Sequence, residues 1–101
     1  MTGLEELNTR GSVPYINKRE RQLLVHSYIY YHANNNIIGD HLFDEWSKDL
    51  ADIMVEFPEN FSKSVYASDF KGFDGSSGAY LPYTMPDIAR RAEWLINNKG
   101  V

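Results

Sequence analysis

Cysteine is absent from this chain, which excludes disulfides, thiolate metal sites and cysteine nucleophiles. No apolar run approaches the roughly 20 residues of a membrane span, so no membrane partner is expected. The N-terminal stretch Met1-Thr2-Gly3-Leu4-Glu5-Glu6-Leu7 is acidic and has no apolar h-region. It is not expected to be a signal peptide, and a cytoplasmic location is the simplest expectation. A basic footprint is also lacking. Ten Lys and Arg face 14 Asp and Glu, for a net charge of −4, and the two signs are mixed, so no direct nucleic-acid contact is expected. The cluster Lys18-Arg19-Glu20-Arg21 is too small to change that and reads as a solvated helix start. The three histidines, His26, His32 and His41, form no HExxH-type array, and no metal is expected. No serine sits in a G-x-S-x-G elbow. Asp74-Gly75-Ser76-Ser77-Gly78 offers backbone amides to a phosphate but matches neither a P-loop nor a dinucleotide fingerprint.

What is present is an ordinary globular composition, 43% apolar and 24% charged in 101 residues, enough for one domain with a modest core. Residues 1–16 contain the turn-rich run Asn8-Thr9-Arg10-Gly11-Ser12-Val13-Pro14 and are expected to form a mobile arm. Residues 17–101 are expected to form a single helical domain. Its first helix should start at an Asn17 cap, with Glu20 closing a capping box. Leu24, Tyr28 and Tyr31 supply its stripe, and Asn34-Asn35-Asn36 its end, since asparagine tolerates left-handed geometry. A second helix should start at an Asp40 N-cap and run to Pro58. Phe43, Trp46, Leu50, Ile53, Met54 and Phe57 should be buried, and Glu45, Lys48, Asp49 and Asp52 should face solvent. From 59 to 83 aromatics are interleaved with Ser, Asp and Gly. Val65-Tyr66-Ala67 and Ala79-Tyr80-Leu81 could pair as a short β-hairpin around a turn at 74–78. A C-terminal helix should begin near Thr84 through a Thr84-x-x-Asp87 box, bury Ile88, Ala92 and Leu95, keep Trp94 at its border and end at Gly100. The expected class is mainly α: a helical hairpin, a C-terminal helix, and an aromatic loop or short β-hairpin.

Chemistry concentrates at the corner of the hairpin. Tyr30 and Tyr31 close the first helix, while Asp40 and Asp44 open the second, four residues apart and so near one face, with Phe43 beside them. A planar, positively charged ligand would find stacking partners and counter-charges there. The run Tyr30-Tyr31, Ile38-Gly39-Asp40, Phe43-Asp44 and Phe57-Pro58-Glu59 resembles the N-terminal subdomain of bacterial NAD-dependent DNA ligases. That family shows a Tyr-Tyr or Tyr-His pair, an Ile-x-Asp-x-x-Tyr-Asp motif and a His-Pro-Glu at the end of its second helix. The match spans residues 20–60, about two fifths of the chain.

The resemblance implies binding of the nicotinamide mononucleotide (NMN) half of NAD. Tyr30 and Phe43 would sandwich the nicotinamide, Asp40 and Asp44 would hold ribose hydroxyls, and Tyr31 stands where the family has Tyr or His. Phe43 replaces the family's tyrosine and lacks its hydroxyl, and Phe57 replaces its histidine. The Lys-x-Asp-Gly motif that takes AMP is missing, because in Lys71-Gly72-Phe73-Asp74-Gly75 the lysine lies one residue too far from Asp-Gly. The chain therefore cannot ligate DNA alone. The expected function is a non-enzymatic module binding NMN or NAD, related to small phage-type ligase-like proteins. The alternative is a phage interaction protein that inhibits a host nuclease or defence enzyme in the host cytoplasm, as anti-CRISPR proteins do. An enzyme using Asp40 or Asp44 as base would be a third reading, but the sequence offers no accompanying nucleophile or metal site.

Overall fold

The computed structural model describes residues 9–35, 37–75 and 81–98. Among them the fold is mainly α: α1 spans Val13–Ser27 and runs into a π-helical turn, Tyr28–His32. Next come α2 at Asp40–Glu56, α3 at Pro58–Ser62, a 3₁₀ turn at Ala67–Phe70, and α4 at Pro86–Asn97. Helix α1 lies at the centre and contacts α2, α3 and α4. Its Ile16, Leu23, Leu24, Val25, Tyr28 and Ile29 are buried, joined by Leu50 and Ile53 from α2 and Ile88 and Ala92 from α4. Phe70, Phe73 and Leu81 close this core, so the aromatic stretch after α3 folds back onto the helices.

The first helix starts four residues before Asn17. Ser12 is its N-cap, with extended backbone (φ −71°, ψ 156°), and its Oγ accepts the Tyr15 N–H at 3.3 Å. Pro14 sits in the first turn, where its missing N–H costs nothing. The Ser-Val-Pro triplet was thus a helix-start signal rather than part of an arm, and Asn17 and Glu20 do not form a capping box. Both reach across instead to the segment after α3. Asn17 Oδ1 accepts the Val65 N–H at 2.8 Å, and Glu20 Oε1 accepts the Tyr66 N–H at 3.2 Å. Amides that a β-hairpin would have paired are satisfied by helix side chains, which is why Val65-Tyr66-Ala67 lies in turns and the 3₁₀ segment rather than a strand. Ala79 and Tyr80, its expected partners, lie outside the described residues, as do residues 1–8 of the expected arm and Gly100.

At the second helix Gly39 (φ 84°, ψ 156°), not Asp40, holds the N-cap position. Only glycine adopts that backbone readily, and Asp40 becomes the first helical residue, where a carboxylate complements the helix dipole. Phe57 leaves helical geometry (φ −129°) because Pro58 follows it and starts α3 at once. Thr84 does not cap α4. Met85 occupies the N-cap without a side-chain bond, and Asp87 instead accepts the Tyr66 hydroxyl at 2.9 Å.

Gly11 shows how the segment before α1 is locked. Its φ is +89°, and a Cβ there would sit 2.6 Å from the Phe57 ring. Its carbonyl accepts the Asn60 amide at 2.9 Å. Gly11→Ala should therefore lose about 2 kcal/mol from left-handed strain and overpacking together. Chemical denaturation checks this; a loss of only about 1 kcal/mol would show that the Phe57 ring moves aside and backbone strain alone remains, and an unchanged midpoint would overturn both causes.

Candidate functional site

The π-helical turn decides how the site is built. The Ala33 N–H bonds to the Tyr28 carbonyl at 3.0 Å, five residues back, instead of four. Asn35 then donates to the Ile29 carbonyl at 2.9 Å across Asn34, whose φ is +54°. Asn34 thus ends the helix through left-handed geometry, as asparagine permits. The wider turn shifts the helical phase. Leu24 and Tyr28 are buried, but Tyr31, expected on the same stripe, is 38% exposed, and Tyr30 is 45% exposed. Two aromatic side chains are left at the surface in a place where an unbroken α-helix would have buried one of them. Such bulges recur at functional sites.

A cleft of about 410 Å³ lies between this turn and the start of α2. Tyr30, Tyr31, Asp40, Phe43 and Asp44 all line it, with Ile29, Ile37 and Ile38 as apolar wall. The volume is within the usual range for small-molecule sites. Tyr30 meets Tyr31 edge-on at 4.8 Å, and Tyr31 stacks on Tyr83 at 6.1 Å with 20° between the planes. Tyr83 also meets Tyr28 edge-on at 6.4 Å, so residues from beyond the 3₁₀ turn brace the aromatic side of the cleft. Phe43 is half-buried and packs partly on the core.

The acidic side is less rigid. Asp44 pairs with Lys48 at 3.0 Å, both well exposed, and His41 pairs with Glu45 at 3.0 Å. Exposed pairs of this kind contribute about 0–1 kcal/mol, so a cationic ligand can replace Lys48 at low cost. Ser47 donates to the Phe43 carbonyl at 2.9 Å. Gly75 closes the cleft on the far side, its backbone so near α2 that a Cβ would lie 3.1 Å from the Ser47 carbonyl oxygen.

His26 borders the cleft from α1 and was not among the residues expected there. Its ring meets Trp46 at 5.5 Å, and its Nδ1 is shut from solvent without a hydrogen-bond partner among the described residues. Burial pushes its pKa down to about 4, so the imidazole is neutral and does not repel a cationic ring. Only the tertiary packing of Trp46 over α1 reveals this residue.

Asp49 corrects the expected solvent face of α2. It accepts Arg10 Nε at 2.7 Å, the Tyr15 hydroxyl at 2.8 Å and Arg19 Nε at 3.1 Å. Burial alone would push its carboxyl up, but the hydrogen bonds from Arg10, Tyr15 and Arg19 outweigh that and hold it below its ordinary value. Arg19, expected to be solvated, is largely buried here and also lies over the Tyr15 and Trp46 rings at 5.3 Å.

Among the described residues no three His, Asp or Glu side chains converge on a metal position, and no helix is long and apolar enough to cross a membrane. No family model, curated protein or solved structure matches the chain.

Proposed function

We propose that the chain is a non-enzymatic module that binds a nicotinamide nucleotide, NMN or NAD, in the aromatic cleft. One observation carries this reading: Tyr30, Tyr31, Asp40, Phe43 and Asp44, from the end of one helix and the start of another, line a single cleft of about 410 Å³. The aromatic faces of Tyr30 and Phe43 suit a nicotinamide ring, whose positive charge favours π-systems. Asp40 and Asp44 are exposed at the rim of the same cleft, where carboxylates can accept ribose hydroxyls and balance the ring charge. The neutral His26 adds a wall without a competing charge. The resemblance to the ligase N-terminal subdomain supports the same assignment at the same five residues. The alternative, an inhibitor of a host or phage nucleic-acid enzyme that uses the acidic faces and the 61–83 loop, would rest on exposed acids such as Asp52 rather than on Asp49, which Arg10, Tyr15 and Arg19 engage.

The test is an NMR titration of labelled protein with NMN and with NAD, beside the Asp44→Ala variant. Saturable shifts at Tyr30, Asp40 and Phe43 are expected, with affinity at least about tenfold weaker in the variant, equivalent to about 1.4 kcal/mol. An unchanged spectrum at millimolar nucleotide would overturn the assignment.

A further inference from the structure

A second depression, of about 310 Å³, lies between α1 and α4. Lys18, Arg21 and Gln22 line it from α1 and Arg91 from α4, over an apolar surface of Val25 and Leu95. His26 borders it as well as the aromatic cleft. Three cations therefore converge in a chain whose net charge is −4.

These cations are held differently from those that sit in ion pairs. Arg10 and Arg19 pair with Asp49, and Lys48 pairs with Asp44. Lys18, Arg21 and Arg91 have no ion pair among the described residues. Each is held by an aromatic residue instead. Lys18 lies 5.7 Å from the Tyr15 ring centroid and Arg91 5.1 Å from that of Trp94, while the positive charge of Arg21 acts on the Tyr66 phenol. The Tyr66 hydroxyl itself donates to Asp87 at 2.9 Å. Aromatic contacts orient a cation but leave its charge uncancelled. The result is a preorganised positive groove whose like charges repel one another until an anion arrives.

We propose that this groove binds a small phosphorylated anion, a phosphomonoester or diphosphate, with Arg21, Arg91 and Lys18 on its oxygens and Val25 and Leu95 under its organic part. Arginine forks match phosphate geometry, and lysine adds a point charge. The volume lies at the lower end of small-molecule sites, roughly 300–1,000 Å³, and an extended acidic peptide would overrun it. Nucleic acid is disfavoured by the acidity of the rest of the chain.

The experiment is a calorimetric and NMR titration of the full chain with inorganic pyrophosphate and with AMP, using the wild type, Arg91→Gln, Lys18→Gln and Asp44→Ala. The substituted cations are both exposed residues outside the core, so the fold is retained, and circular dichroism verifies it. Saturable shifts at Gln22, Val25 and Leu95 are expected for both probes. Binding should weaken about tenfold in either cation variant, weaken with added salt, and persist in Asp44→Ala, which separates this groove from the aromatic cleft. Absence of saturable binding at about 10 mM probe, where even a Kd of about 1 mM would show, overturns the proposal. So does binding that is unchanged in Arg91→Gln and in Lys18→Gln. A poly-glutamate peptide that binds where pyrophosphate and AMP do not would overturn it in favour of an acidic protein partner.

Discussion

Glu20→Gln should raise stability at pH 8 by an amount on the order of 3 kcal/mol and tilt a nearly flat pH–stability profile. Glu20 is fully buried. Burial is the main reason its pKa rises from an ordinary 4.5 to about 7, with Asp69 adding repulsion, against the hydrogen bonds from Ser64 and Tyr66. Geometry agrees. Ser64 Oγ lies 2.7 Å from Glu20 Oε2 and 2.6 Å from the Phe61 carbonyl oxygen. The Ser64 hydroxyl has one proton to share between these two oxygens, so it compensates a buried Glu20 carboxylate only in part. The folded chain thus holds a proton that the unfolded chain releases between about 4.5 and 7. That contribution is complete below pH 4.5 and disappears as pH rises to 7; a shift of this size corresponds to about 3 kcal/mol.

His26 works in the opposite direction. Its pKa falls from 6.5 to about 4, so the folded chain refuses a proton that the unfolded chain accepts. Its contribution is present above pH 6.5 and is lost as pH falls toward 4. The two slopes oppose each other from about 4.5 to 6.5 and leave the wild type nearly flat there. In Glu20→Gln the amide can donate to Ser64 and accept from Tyr66 as the protonated acid does, and only the His26 slope remains, so stability rises with pH. In His26→Leu only the Glu20 slope remains, and stability falls with pH. At pH 8 the Gln variant should melt roughly 10–20 °C higher than the wild type. Equal melting temperatures at pH 8, or parallel profiles for the two variants, would show that Glu20 is not buried in its protonated form.

Asp49→Ala should cost about 2–3 kcal/mol, while Asp52→Ala, three residues on in the same helix, should stay within about 0.5 kcal/mol. Both acids fall on the face of α2 that the periodicity assigns to solvent. Asp52 is exposed, but the Asp49 side chain is only 20% exposed and accepts from three partners. Its removal leaves the Arg19 guanidinium, 12% exposed, without its carboxylate, and an uncompensated buried charge costs more than the intact pair contributes. Because the Asp49 carboxyl is held below its ordinary 3.8, this stabilisation is present above about pH 4 and fades as pH falls below it. Urea denaturation of the two variants at pH 7 measures the contrast, and equal midpoints would reduce the Arg10–Asp49–Arg19 network to a surface feature.

Both predictions concern residues whose character the sequence alone misstates. Glu20 and Arg19 sit in a charged run that looks solvated, yet one is sealed against Ser64 and Tyr66 and the other against Asp49, 30 residues away. Partners so distant in the chain carry no periodic signal. The stripe of α2 behaves otherwise. Leu50 and Ile53 are buried, and Phe43, Trp46, Met54 and Phe57 pack against the core, because spacing along one helix is a local property.

The sequence by itself determined the mainly α class, the asparagine end of the first helix and the proline boundary after α2. Each follows from short-range backbone and hydrophobic rules. It also singled out Tyr30, Tyr31, Asp40, Phe43 and Asp44, which lie close enough in the chain for one helical corner to gather them. Tertiary structure alone decided the rest. The π turn that leaves Tyr31 exposed, the neutral His26 wall, the buried Glu20 and the groove where Arg91 joins Lys18 and Arg21 all depend on which helices meet. Burial and charge compensation belong to the space between elements, and no single stretch of chain encodes them.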